Sequence, residues 1–137
     1  MRYLFSLQLI IIFICCNQQD KKISSSLIEN GACISVIGDE TLDFGQIVEG
    51  EKVDLEFSLK NSGTGDLIIS KINASCGCAQ IEYPKDIIKI SETFKIKITF
   101  DSKDRLGKQT KKITIVSNAT PNVKILTIKG SILPFQN

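Results

Sequence analysis

Cys76-Gly77-Cys78 sets two thiols one residue apart, the constellation with the greatest chemical potential in a chain of 137 residues. Such a pair closes into a disulfide only where its α-carbons come within about 4.4–6.8 Å, and Gly77 favours the tight turn this takes. An extended strand would send the two side chains to opposite faces. The pair therefore belongs at a turn, or it is not bonded to itself. Three uses stand open: thiols buried or bridged to pin a loop, a redox-active dithiol, or half of a four-ligand metal site. A redox role finds no nearby CxxC, no βαβ pattern and no His to tune a thiolate. A metal would need carboxylates to complete its shell, so no metal and no cofactor is assigned. Cys33 makes the number of thiols beyond Cys16 odd. Either one thiol stays free, or Cys33 bridges to Cys76 or Cys78 and strands the other.

The rest of the composition narrows the chemistry further. With no His anywhere, imidazole bases and His-liganded metals are excluded. Ser and Asp are plentiful, yet there is no nucleophile elbow and no Gly-rich phosphate loop. Asp39-Glu40, and Glu49 with Glu51, lie in turn regions and read as exposed charges. Asp101 to Arg105 lacks the alternating oxygen ligands and closing Glu of a calcium loop. Seventeen basic against fifteen acidic residues give a net charge of +2, too weak a field to imply nucleic acid. The expectation is a protein that is not an enzyme, with thiol redox activity as the one open exception.

Tyr3 to Ile14 is a short apolar run preceded by Arg2 and followed by Cys15-Cys16-Asn17-Gln18. That order is the one expected of a secretory signal, and the run is short against the roughly 20 residues of a transmembrane helix. The segment resembles a bacterial lipoprotein signal, in which the Cys after the apolar run is lipidated and becomes the first mature residue. Cys16 fits this better than Cys15, because Cys15 then supplies the small residue before cleavage. The implied division is a signal peptide over 1–15, a polar tether over 16–32, a β domain over 33–132 and a tail over 133–137. Removing fifteen of 137 residues leaves 122, enough to bury a real core.

Positioning the thiols falls to strands. Val53, Leu55, Phe57 and Leu59 alternate with Asp54, Glu56, Ser58 and Lys60, and Phe94, Ile96, Ile98 and Phe100 repeat the pattern. A period of two with one apolar side makes each a strand on a core. Weaker strands are expected near Cys33–Ile37, Thr41–Ile47, Leu67–Ile72, Ala79–Glu82, Ile87–Ile90, Lys111–Val116 and Lys124–Lys129. Turn chemistry separates them, as at Glu49-Gly50, Asn61 to Asp66, Arg105 to Lys108 and Asn118 to Asn122. Short strands with turns every 8 to 12 residues describe an all-β sandwich. Phe44 is expected to plug one end of the core while Gly45 permits a bulge or a close chain contact. The lysines that alternate with apolar residues on these strands read as solvent faces and protected edges.

The run from Leu42 to Pro84 resembles the DUF1573 family of bacterial proteins, akin to Ig-like domains of ciliary and centrosomal proteins. The resemblance rests on Phe44-Gly45, Gly50-Glu51, Phe57 with Asn61-Ser62-Gly63, Leu67 with Ile69, and Cys76-Gly77-Cys78. It continues through Phe100 with Gly107, Ser117-Asn118 and Leu126 to Gly130, covering Asp39 to Ile132. One element departs: the usual Pro-Gly-Glu turn before Phe94 is here Ile90-Ser91-Glu92-Thr93, without its glycine. The resemblance implies an Ig-like antiparallel β-sandwich of about seven to nine strands, exported and often lipid-anchored. The expected partners are the membrane, through the lipid, and an envelope protein or glycan. An envelope thiol redox protein and a chaperone-like binder of extended peptides are the alternatives.

Overall fold

The computed structural model describes residues 31–136, and every regular element within them is a strand. The order is β1 (Ile34–Ile37), β2 (Thr41–Val48), β3 (Lys52–Asn61), β4 (Ile69–Ala74), β5 (Ala79–Glu82), β6 (Thr93–Asp101), β7 (Gly107–Ser117) and β8 (Val123–Leu133). Two four-stranded sheets form, in the orders β1-β3-β6-β5 and β2-β8-β7-β4. The alternation in the sequence decides which side of each sheet is dry. Leu55 faces Ile98, Phe57 faces Ile96 and Leu59 faces Phe94 in the β3–β6 register, so same-side apolar residues stack across the pair. Ile113, Ile115, Leu126 and Ile128 close the core from the second sheet, each fully buried. Each such side chain contributes about 1.5–3 kcal/mol by leaving water.

The all-β Ig-like sandwich is thus present, with one pair of strands that differs in direction from an all-antiparallel arrangement. β1 and β2 form one run that changes sheets across Gly38, whose φ is 94°. β1 is antiparallel to β3, but β2 lies parallel to β8. Between Asp43 and Gln46 the β2 register slips, and Gly45, at φ 72°, donates its N–H to Asp43 Oδ1 at 2.9 Å. This is the expected bulge. It lays Phe44 on Phe100, with ring centroids 5.1 Å apart, and against Gly130, where any Cβ would overlap the Phe44 ring.

Several expected boundaries move. Ile87–Ile90 is not a strand: only Ile88 pairs, in an isolated bridge with Leu67, and β4 begins later, at Ile69. β7 starts at Gly107, inside the expected turn from Arg105 to Lys108. Polar residues from Lys108 to Lys112 give no alternation by which to see that extension. β8 runs from Val123 to Leu133, beyond both ends of the expected Lys124–Lys129, and Ala32 is buried with the core.

Candidate functional site

Antiparallel pairing sorts the connections into two groups at opposite ends of the sandwich. One end gathers the β2–β3, β4–β5 and β6–β7 turns. The other gathers the β3–β4, β5–β6 and β7–β8 loops with the segment that leads into β1.

At the turn end, Cys76 and Cys78 form a disulfide with α-carbons 5.2 Å apart, while Cys33 is free. The bridge spans the crossing from β4 in one sheet to β5 in the other. Its frame is hydrogen-bonded on both sides: the Ser75 N–H donates to the Lys112 carbonyl at 2.9 Å, and the Lys112 N–H returns to Ser75 Oγ at 3.1 Å. The Asp101 N–H donates to the Cys78 carbonyl at 2.8 Å. The two sulfur residues differ in exposure, Cys78 being 5% exposed and packed in the core, Cys76 only partly covered. A ring of three residues constrains the unfolded chain weakly. Chain entropy gives it about 1.6 kcal/mol, against about 3 kcal/mol for a fifteen-residue loop.

Next to Asp101, which bonds the Cys78 carbonyl, lies Ser102, a fully buried hydroxyl residue. Its Oγ donates to the Glu51 carbonyl at 2.7 Å, with the Val48 carbonyl at 3.2 Å, and so ties the Gly50 turn to the end of β6. Gly50 takes φ 91°, which closes that turn. Glu51 also caps it, accepting the Val48 N–H at 2.7 Å. Asp101 accepts the Lys103 N–H at 2.9 Å. That bond, aided by the Lys52 and Arg105 charges, holds its carboxyl below the ordinary carboxylate range. No signal in the sequence separates Ser102 from exposed serines.

The loop end is built on two asparagines. Asn61 is fully buried, and its Nδ2 donates to the carbonyls of Gly65 at 2.8 Å, Ile88 at 3.2 Å and Lys89 at 3.3 Å. Its Oδ1 accepts the N–H groups of Gly63 at 3.1 Å and Cys33 at 3.4 Å. One amide therefore joins three chain segments that have no ladder of their own. Asn118 does the same for a further loop: Oδ1 accepts the Ile68 N–H at 2.8 Å and Nδ2 donates to the Asp66 carbonyl at 2.9 Å. Gly63 lies so close to the Gly31 carbonyl and Cys33 amide that no side chain fits.

Leu67 and Ile88 exchange two backbone hydrogen bonds of 2.9 Å and point into the core. Ile68 and Ile87, the next residue on either side, face the opposite way and are 47% and 51% exposed. Ile90 is also 51% exposed. The glycine-free turn takes a left-handed residue nonetheless, Ser91 at φ 66°. Its N–H donates to the Asn61 carbonyl at 2.9 Å, so Ser91 locks this loop to the same hub.

The remaining candidates assemble no site. Among the described residues no cluster of Cys, Asp or Glu could hold a metal ion. The outer face of the β1-β3-β6-β5 sheet has a depression of about 390 Å³ lined by Asp54, Glu56, Glu82 and Lys97. Its charges are tied up in part, with Lys95 bridging Glu56 at 2.7 Å and Thr99 donating to Asp54 at 2.6 Å. Glu40 pairs with Lys124. Cys16 and the expected signal segment lie outside the described residues.

Residues 36–132 match the model of a family described as a protein of unknown function, DUF1573. No curated protein sequence matches the chain. The fold is similar to that of a protein of unknown function from Porphyromonas gingivalis W83, at 17% identity and TM-score 0.63, over 73% of this chain and 46% of that one. The chain thus spans less than half of that protein. It is similar also to the ASH/PapD-like domain 7 of human CEP192, at 11% identity and TM-score 0.63, over 78% of this chain and 89% of that one. The YadV chaperone matches at 14% identity and TM-score 0.51, over 75% of this chain and 52% of that one. At such identities the likeness is one of fold.

Proposed function

The chain belongs to the DUF1573 family, whose function is unknown, and on that premise we propose that it is a lipid-anchored protein of the bacterial envelope whose sandwich is an interaction module. Apart from thiol–disulfide chemistry the module is non-enzymatic in this reading, with Cys16 carrying the lipid. Its binding surface is the loop end, and the partner is an envelope protein with an apolar patch. The observation that supports this is the pair Ile68 and Ile87, about half exposed on loops that Asn61 and Asn118 hold in place. Apolar side chains held rigid in water bind without a further ordering cost, and loops on a β scaffold are a common place for recognition. The chaperone-like alternative would capture a strand along a sheet edge. Here the edges are short or irregular: β1 and β5 have four residues each, and β2 and β4 both carry register shifts. Such edges are poor templates for a long added strand, which favours the loops.

A photo-crosslinking residue placed at Ile87 in intact cells is expected to give one discrete adduct. The same residue at Lys95, on the outer sheet face, is expected to give none, and Ile68→Asp should abolish the Ile87 adduct. Equal labelling from both positions would refute the loop-end surface. Intact mass after membrane extraction tests the anchor separately: a water-soluble product beginning beyond Cys16 would exclude it.

A further inference from the structure

We propose that the Cys76–Cys78 disulfide is a thiol–disulfide exchange site, attacked only at Cys76, which accepts electrons from a dithiol of an exported protein. Three observations converge on it. First, the ring closes only three residues, so opening it removes little constraint from the unfolded chain and leaves the folded domain standing. Second, the sulfurs are unequal: Cys78 is in the core at 5% exposure and Cys76 is partly exposed. Gly77 between them is exposed, with no heavy atom within 4 Å of where a side chain would project, so the crest of the loop is open to an incoming thiol. Third, the loop is held by bonds that do not involve sulfur, namely Ser75 with Lys112 and the Asp101 N–H on the Cys78 carbonyl. Those bonds keep the two α-carbons near their 5.2 Å separation when the bridge is open, ready to close again. A purely structural staple needs none of this asymmetry.

Exchange proceeds by attack of a thiolate on one sulfur and departure of the other. A partner thiolate forms a bond to Cys76 Sγ, the Cys76–Cys78 bond breaks, and its electron pair leaves on Cys78 Sγ, which takes up a proton. The partner's second thiolate then attacks its own sulfur in the mixed disulfide and releases Cys76 as the thiolate, which is protonated in turn. The partner loses two electrons and two protons and gains a disulfide. Cys76 and Cys78 gain both as two thiols. Attack at Cys78 is disfavoured because that residue is buried in the core at 5% exposure. The proposal does not depend on the loop-end surface, which lies at the other end of the sandwich.

The test uses the oxidised wild-type protein with reduced glutathione as the probe, quenched by alkylation and read by peptide mass. Glutathione is expected on Cys76 in at least tenfold excess over Cys78, with the alkyl group on Cys78. The rate should be unchanged by urea below the unfolding transition. A reduced Cys-Gly-Gly-Cys peptide should be converted to its cyclic disulfide, one per protein molecule. Adducts divided evenly between Cys76 and Cys78, or reduction that occurs only in step with global unfolding, would overturn the proposal. As a second arm, Cys78→Ser should react with oxidised glutathione at Cys76 at least tenfold faster than Cys76→Ser reacts at Cys78. Equal rates would also overturn it.

Discussion

The loop end and the disulfide end of the sandwich are held by different means. At the loop end, noncovalent amide bonds do the holding: Asn61 alone reaches carbonyls or amides of Gly63, Gly65, Ile88, Lys89 and Cys33. At the other end a covalent bridge joins residues two positions apart, and Ser102 makes the long-range tie. The covalent bond is the weaker support of the two, because a ring of three residues constrains the unfolded chain little, while losing the Asn61 amide would leave several backbone groups unpaired. A covalent link stabilises by the span of chain it closes, and a buried amide by the groups it keeps paired.

Substitutions sharpen that contrast. Asn61→Ala should be the most damaging, costing about 2–4 kcal/mol in chemical denaturation because several buried backbone groups lose their partner. It should also loosen Ile68 and Ile87 and weaken the crosslink at Ile87. Ser102→Ala, the corresponding change at the turn end, should cost about 2 kcal/mol. Reducing the Cys76–Cys78 bridge, with both residues left as thiols, should cost no more than about 1.6 kcal/mol. A loss larger than that of Asn61→Ala would reverse the ranking of the two ends. Ser91→Gly should stabilise by about 0.5 kcal/mol, since glycine accepts the left-handed conformation that Ser91 holds at a cost.

The smallest effect is that of Asp101, an exposed carboxylate whose folded pKa is depressed. A depressed pKa gives stability that is present above the unfolded value of about 3.9 and is lost as pH falls through the folded value. The stability difference between wild type and Asp101→Asn should therefore be constant above about pH 5 and fade as pH falls from the unfolded value through the lower folded one.

Burial alternation made β3 and β6 legible at once, since every second residue from Val53 to Leu59 and from Phe94 to Phe100 is apolar. The same rule misreads Ile87 to Ile90, because two of its three isoleucines face water on a loop rather than a core on a strand. Apolar content there marks a surface. The disulfide was legible as one option among three. The inequality between its sulfurs was not, because it arises from the crossing between sheets and not from the Cys-Gly-Cys spacing. Asn61 and Asn118 could be picked out by family resemblance alone. What they do depends on partners as far away as Lys89 and Ile68, a distance along the chain that no local pattern spans.

The run of β1 into β2 has a mechanical consequence. Gly31 lies at the loop end, β8 carries the chain to Leu133 at the other, and β2 lies alongside β8 in the same direction. Tension applied between those two points pulls β2 and β8 past each other lengthwise, so their hydrogen bonds resist together instead of parting one at a time. A domain strung this way would resist stretching along that line.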